Sequence, residues 1–350
     1  MIVTKDQSDT ASLNPTRKLT AAHMALADYK RTNMNSGIEH HYITYTGSEE
    51  EGYRKAREYL ETNQAKAVAL VGDFNTTGTE QTVKLAAEYS LPHLSFFATN
   101  EELFIDNPWS FSYRERLIHE TDIMIKILSN QLAADKIAVV VCDLINIAQR
   151  WEDLQSNLEE FGIDVYFSNT VSSNENDFTQ QIDYLNELQD EYDAIVLFLS
   201  SRQVEHFLQQ LYISGLNKPI ALTGISLSPE SLRELEGIDL NMYSYAPQLY
   251  LQLSQGENHA LQEFAKEYRV AIGYHQVDTM GPRIYDGLTL LYDMIEQSDR
   301  KEEIKWRLNE YNQERMVGCT SFDIEGRLQS STYRIVNISN GSYIEVTNGE

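Results

Sequence analysis

The sequence predicts an α/β protein built from two doubly wound parallel-sheet lobes, and three observations carry that prediction. Short apolar runs alternate with helical stretches over most of the chain. Runs of about five to eight apolar residues, bounded by turn residues, suit strands covered by helices on both faces. At 350 residues the chain is too long for one ordinary core and fits two domains of roughly 150 residues.

The elements follow in order. AVALVG (67–72) is an apolar strand that breaks into the polar loop DFNTTG (73–78). The helical TEQTVKLAAEYS and a second apolar run, LPHLSFFATN (91–100), come next. A strand that stops at a glycine and passes through Asn-Thr-Thr into a helix leaves backbone N–H groups at the helix start. Such a start receives a carboxylate, an amide oxygen or a phosphate. The second run ends in Ala98-Thr99-Asn100. Ligands of open parallel sheets lie beyond the carboxyl ends of the strands, so Thr76 and Thr99 are candidate contacts. Both residues also read as plain helix caps, because Thr and Asn are ordinary N-cap residues.

KIAVVVC (136–142) reads as a buried strand and AQRWEDLQSNLEEFG as an amphipathic helix ending at Gly162. The strand IDVYFSNTV, the helix DFTQQIDYLNELQ, the strand DAIVLFLS and the helix RQVEHFLQQLYISG continue the alternation, and PIALTG and SPESLRELEG close it. After Leu240 an extended LNMYSYAPQLY gives way to the helices NHALQEFAKEYR, TMGPRIYDGLTLLYDMIEQ and KEEIKWRLNEYN. The strands TYRIVNIS and SYIEVT flank Asn340-Gly341, a dipeptide that favours a type I′ hairpin. The two halves look like one βα architecture used twice.

Charge narrows the function. The chain has 53 acids against 28 bases, a net charge of −25. That surface repels nucleic acid and anionic lipid, so nucleic-acid binding is not expected. No apolar run of about 18 residues is present, so no transmembrane helix is expected. The start, MIVTKDQSDTASLNP, lacks an apolar h-region and reads as having no signal peptide, which leaves a cytoplasmic protein or a mature form. Cys142 closes an apolar strand and Cys319 lies far away in VGCTSFD, so two unbridged thiols are expected, one of them buried.

Catalytic signatures are missing. The eight histidines form no HExxH, and His40-His41 falls in an expected strand where the two side chains would point apart. DFNTTG has neither the spacing nor the lysine of a phosphate loop, and no GxSxG elbow occurs. No cofactor, no metal and no enzymatic activity are expected.

The order VGDFNTTGT, LPHLSFFATNEEL, DNPWSFSYR, PIALTGISLSPESL, DTMGPRIYDGLTLL and VGCTSFDIEGRLQSSTYRIVNI resembles the type I periplasmic binding proteins. Within them it is similar to the branched-chain amino acid and amide receptors of ABC transporters, over about Thr16 to Val346. The resemblance implies two lobes joined by a three-strand hinge, with crossings near Arg114–Glu120, Tyr245–Tyr250 and Ser321–Gly326. Lobe 1 would be 1–117 plus 250–320 and lobe 2 would be 118–249 plus 321–350, with a ligand cleft between them. It implies capture of an amino acid, amide or related carboxylate by hinge closure, for delivery to an ABC permease. A ligand-binding sensor of the same fold is the alternative. The implied state is a monomer or weak dimer, periplasmic or extracellular, with lipoprotein anchoring left open.

By the same resemblance Thr76 and Thr99 hold the ligand carboxylate, and Asn75, Thr77 and Ala98 shape that corner. Tyr113 would line the cleft or join the core. Three positions depart from the family pattern. Its D-x-x-Y-G aromatic falls at Ile147, its acidic residue after PIALTG falls at or near Ile225, and an aromatic strand end is replaced by Ser200-Ser201-Arg202. A ligand ammonium would have no evident partner there. Arg202 would meet a second anionic or carbonyl group, or else serve as an exposed first-turn arginine.

Overall fold

A computed structural model of the protein describes residues 1–5, 14–98, 100–224, 227, 229–238, 240–256, 258–273, 280–329 and 333–346. The chain divides into two units, Met1–Arg116 with Gln252–Thr332 and Leu117–Leu251 with Tyr333–Glu350. It passes from one to the other three times, at 116/117, 251/252 and 332/333.

The first unit holds a parallel sheet of β1 (Ile2–Lys5), β2 (Tyr42–Tyr45), β3 (Leu70–Val71), β4 (His93–Ser95) and β5 (Ser110–Ser112). Its helices are α1 (Asn14–Thr32), α2 (Glu49–Asn63) and α3 (Thr76–Tyr89). The strand order is β2-β1-β3-β4-β5. The N-terminal segment is a strand in the interior of the sheet: Ile2 pairs with both Tyr42 and Val71. Its residues Ile2, Val3 and Thr4 are buried, which accounts for an apolar run too short to stand out by length.

In the second unit α4 (Leu117–Lys126) leads into β6 (Lys136–Cys142), α5 (Ile145–Leu158), β7 (Asp164–Val171) and α6 (Thr179–Glu187). The chain continues through β8 (Ala194–Phe198), α7 (Ser201–Ser214), β9 (Ile220–Leu222), α8 (Pro229–Glu234) and β10 (Met242–Pro247). The helix α9 (Gln248–Gln255) carries the chain past Leu251 into the first unit. That unit gains α10 (His259–Ile272), α11 (Met280–Gln297), α12 (Lys301–Asn309) and a hairpin of β11 (Asn312–Arg315) and β12 (Gly318–Ser321).

The last strands, β13 (Tyr333–Ser339) and β14 (Ser342–Glu345), return to the second sheet, whose order is β14-β13-β10-β9-β8-β6-β7. From β7 to β10 this sheet is parallel and repeats the first sheet's order, so one architecture is indeed used twice. Between β13 and β14, Asn340 and Gly341 both take positive φ, 48° and 69°, as a type I′ turn requires. The faces of β6 and β8 are filled on both sides: Ile137–Cys142 and Ala194–Phe198 are buried in one apolar core.

Two expectations need correction. Segment 321–329 belongs to the first unit, because Ser112 exchanges backbone hydrogen bonds with Gly326 and Leu328, and Phe322 packs edge-on against Phe111. The second unit thus resumes at Tyr333, not at Ser321. His40 and His41 precede β2 and do not lie in it. His40 bridges the Tyr42 and Tyr292 hydroxyls at 2.6 and 2.5 Å, and His41 stacks on Tyr59. The two cysteines are not bridged to each other; Cys142 is buried and Cys319 exposed.

Candidate functional site

In a doubly wound sheet the ligand crevice opens where the strand order reverses. In the first unit that point lies between β1 and β3. The chain leaves β3 through Gly72, whose φ of +118° and contact with the Val3 carbonyl leave no room for a side chain. The turn then enters α3, which starts three residues earlier than its helical pattern suggests. Asn75 is the cause: its extended backbone makes it the N-cap, and its Oδ1 accepts the Gly78 N–H at 2.7 Å. Thr76 is thus the first helical residue, half-buried, and Thr77 beside it is exposed.

Behind the turn stands a buried polar frame. Asp73 accepts from the Tyr45 hydroxyl and from the Phe74 N–H. Burial pushes its carboxyl up, and those two hydrogen bonds oppose the rise. Thr82 donates to the Gly72 carbonyl at 2.6 Å and accepts the Asp73 N–H at 3.1 Å. His93 reaches the same Gly72 carbonyl and the Ser110 hydroxyl. Complete burial pushes His93 down to about 4, so it is a neutral imidazole near pH 7. Gly78 is required by close approach, since a Cβ there would stand 2.6 Å from the Asp73 Cβ.

Sequence reasoning missed Lys18. From α1 its ammonium donates to the Phe74 carbonyl at 3.0 Å and lies 5.6 and 5.5 Å from the Phe74 and Phe97 ring centroids. Nothing in TRKLT distinguishes this lysine from a surface one. The corner therefore combines the positive end of α3, whose first turn carries Thr76 and Thr77, with the Lys18 ammonium at the preceding Phe74 carbonyl, an arrangement that suits an anion.

The remaining expected residues are placed as follows. Thr99 and Ile225 lie outside the described residues. Ala98 is buried beside Val83 and Phe104. Tyr113 is 1% exposed, donates to Asp286 at 2.8 Å and lies 3.0 Å from the Thr320 hydroxyl, so it joins β5 to α11 within the core. Asp286 is in turn paired with Arg315 at 3.1 Å.

In the second unit the order reverses between β6 and β8. Ile147 packs into that unit's core, while Leu144 and Ile145 just before it are 40% and 85% exposed. Ser200 caps α7 through Gln203, which also donates to the Ser172 carbonyl. Arg202 is exposed and donates to His206 at 3.5 Å, the ordinary first-turn role. Sequence reasoning also missed the ion pair of Glu120 with Arg150, to which the Tyr245 and Tyr333 hydroxyls donate.

The fold and these crevices define a class, the type I periplasmic binding fold, with two parallel-sheet units in one chain. The family model described as "Receptor family ligand binding region" matches residues 17–341, and the chain belongs to that family. Among solved structures, the leucine-binding protein LivK of Thermotoga maritima aligns with a TM-score of 0.72 at 16% identity, covering 99% of this chain and 97% of the other. The branched-chain amino acid substrate-binding protein LivJ of Streptococcus pneumoniae, solved with isoleucine, gives 0.70 at 19% identity over 98% and 97%. A solute-binding protein of R. palustris, solved with benzoate, gives 0.70 at 12% identity over 99% and 94%. At such identities the likeness shows the fold. A comparison with curated proteins found no match. Among the described residues no helix is long and apolar enough to cross a membrane, and no cluster of three or more metal-ligating side chains occurs.

Proposed function

We propose that the protein is an extracytoplasmic solute-binding protein that captures a small carboxylate-bearing ligand for an ABC permease. The observation that carries this reading is the corner after β3, where α3 begins at Thr76 and the Lys18 ammonium meets the Phe74 carbonyl two residues before it. Leucine, isoleucine and benzoate, the ligands of structurally similar proteins, share one group, a carboxylate. That group matches the charge of the corner. Thr76, Thr77 and Asn75 shape its receptor.

The test is a thermal-shift screen of branched-chain amino acids, amides and aromatic carboxylates, backed by native mass spectrometry. A true ligand raises the melting temperature with concentration, because it binds only the folded form. No shift with any carboxylate sinks the reading. Recovery of a chemically changed ligand from denatured protein would argue for an enzyme instead. A sensor role is the second reading, favoured by the receptor description of the family. Co-purification with a permease selects transport, and co-purification with a signalling partner selects sensing.

A further inference from the structure

The second unit is entered or left at three points in the sequence, and one buried carboxylate reaches the segment at each of them. Glu120 lies on the first turn of α4, just past the crossing at 116/117. Its Oε2 accepts from the Tyr245 hydroxyl at 3.1 Å, on β10, the strand that runs into α9 and the crossing at 251/252. Its Oε1 accepts from the Tyr333 hydroxyl at 3.0 Å, and Tyr333 is the first residue after the crossing at 332/333. Arg150, on α5, completes the group. Its Nε donates to Oε2 at 2.8 Å, and its Nη2 donates to the same oxygen and to the Tyr245 hydroxyl at 3.3 Å.

We infer that Glu120 is a tie that holds the three entry segments of the second unit in one arrangement, so that they loosen together when its carboxylate is altered. Several features make a concerted response the physical expectation. Glu120 is 6% exposed, so water cannot readily replace a lost protein partner. Both of its oxygens are engaged, and the partners come from different elements. Burial raises the Tyr245 phenol, which keeps that hydroxyl protonated and donating. The two tyrosines are presented side by side by the β10–β13 ladder. Tyr245 stands opposite Ile335, which makes Tyr333 its diagonal neighbour, and the rings meet edge-on at 5.1 Å. The cavity beside Glu120 and Arg150 measures about 10 Å³, room for one water at most, so the group is a packed joint and not a ligand pocket.

The competing explanation is that each segment is held separately. α4 buries Ile123, Met124 and Ile125, and β10 and β13 pair along six residues, so neither element depends on Glu120 to exist. Hydrogen exchange followed by mass spectrometry on the full chain, without ligand, separates the two views. In Glu120→Gln, exchange at 117–126, 242–247 and 333–339 should accelerate together by roughly tenfold or more, with β6 and β8 unchanged. Tyr333→Phe removes one hydroxyl and keeps the ring. It should accelerate exchange not only at 333–339 but also across the first turn of α4. Acceleration confined to the mutated segment, or spread evenly over β6, β7 and β8, overturns the tie. Should Glu120→Gln fail to fold, the Tyr333→Phe pattern decides alone. Neither readout involves a solute, so it stands or falls apart from the proposed function.

Discussion

The two sheets share a strand order and a reversal point, yet they furnish the carboxyl ends of their strands differently. After β3 the first unit presents a capped helix start, two threonine hydroxyls and a lysine, backed by the buried Asp73 and His93. After β6 and β8 the second unit presents Leu144, Ile145 and a serine cap, and its buried charges are already joined to one another in the Glu120 group. The contrast teaches that topology decides where a ligand goes, while the local side chains decide which chemistry it meets.

The largest expected effect separates the two kinds of buried charge. Glu120→Ala leaves the Arg150 guanidinium without its carboxylate, a change that typically costs about 3–5 kcal/mol. Urea denaturation should place that loss in the second unit, and a loss under about 1 kcal/mol would equate this pair with a surface one.

Next comes acid. Folded His93 is held down to about 4 while the unfolded chain titrates near 6.5, so the unfolded state binds the proton first. Its contribution is complete above about 6.5 and is lost as pH falls from there toward about 4, a total on the order of 3 kcal/mol. His40, pushed down to about 3 by burial, adds in the same direction. Denaturation curves from pH 7 to pH 4 should therefore fall less steeply in His93→Gln than in the parent. Parallel curves would break the link between this frame and acid lability.

Ligand affinity sharpens the comparison further. Thr76→Ala and Lys18→Met should each weaken carboxylate binding by about 1–3 kcal/mol, since each removes a contact to a charged group. Calorimetry showing both at parental affinity would move the site away from the α3 corner. The smallest effect belongs to Arg202→Ala, expected within about 0.5 kcal/mol in affinity and stability because the side chain is exposed and already meets His206.

Reading from sequence succeeded where one local rule sufficed. KIAVVVC became β6 over the same seven residues, and Asn340-Gly341 formed the expected turn. It was weaker where several distant segments decide one position. The start of α3 moved because Asn75 caps it, a choice that Gly78 permits only by lacking a side chain. Ile147 turned inward while Leu144 and Ile145 stayed out, which a helical pattern does not distinguish at a first turn. Lys18 and the Glu120–Arg150 pair were invisible, because each partner lies more than twenty-five residues away in sequence and nothing local marks it.

The return of β13 and β14 to the second sheet also governs how the chain is made. Strand β10 acquires its β13 neighbour only after the ribosome has added residues 252–332, all of which belong to the other unit. During synthesis the second sheet therefore waits with an open edge along β10, a surface that a holding chaperone would cover until the final segment arrives.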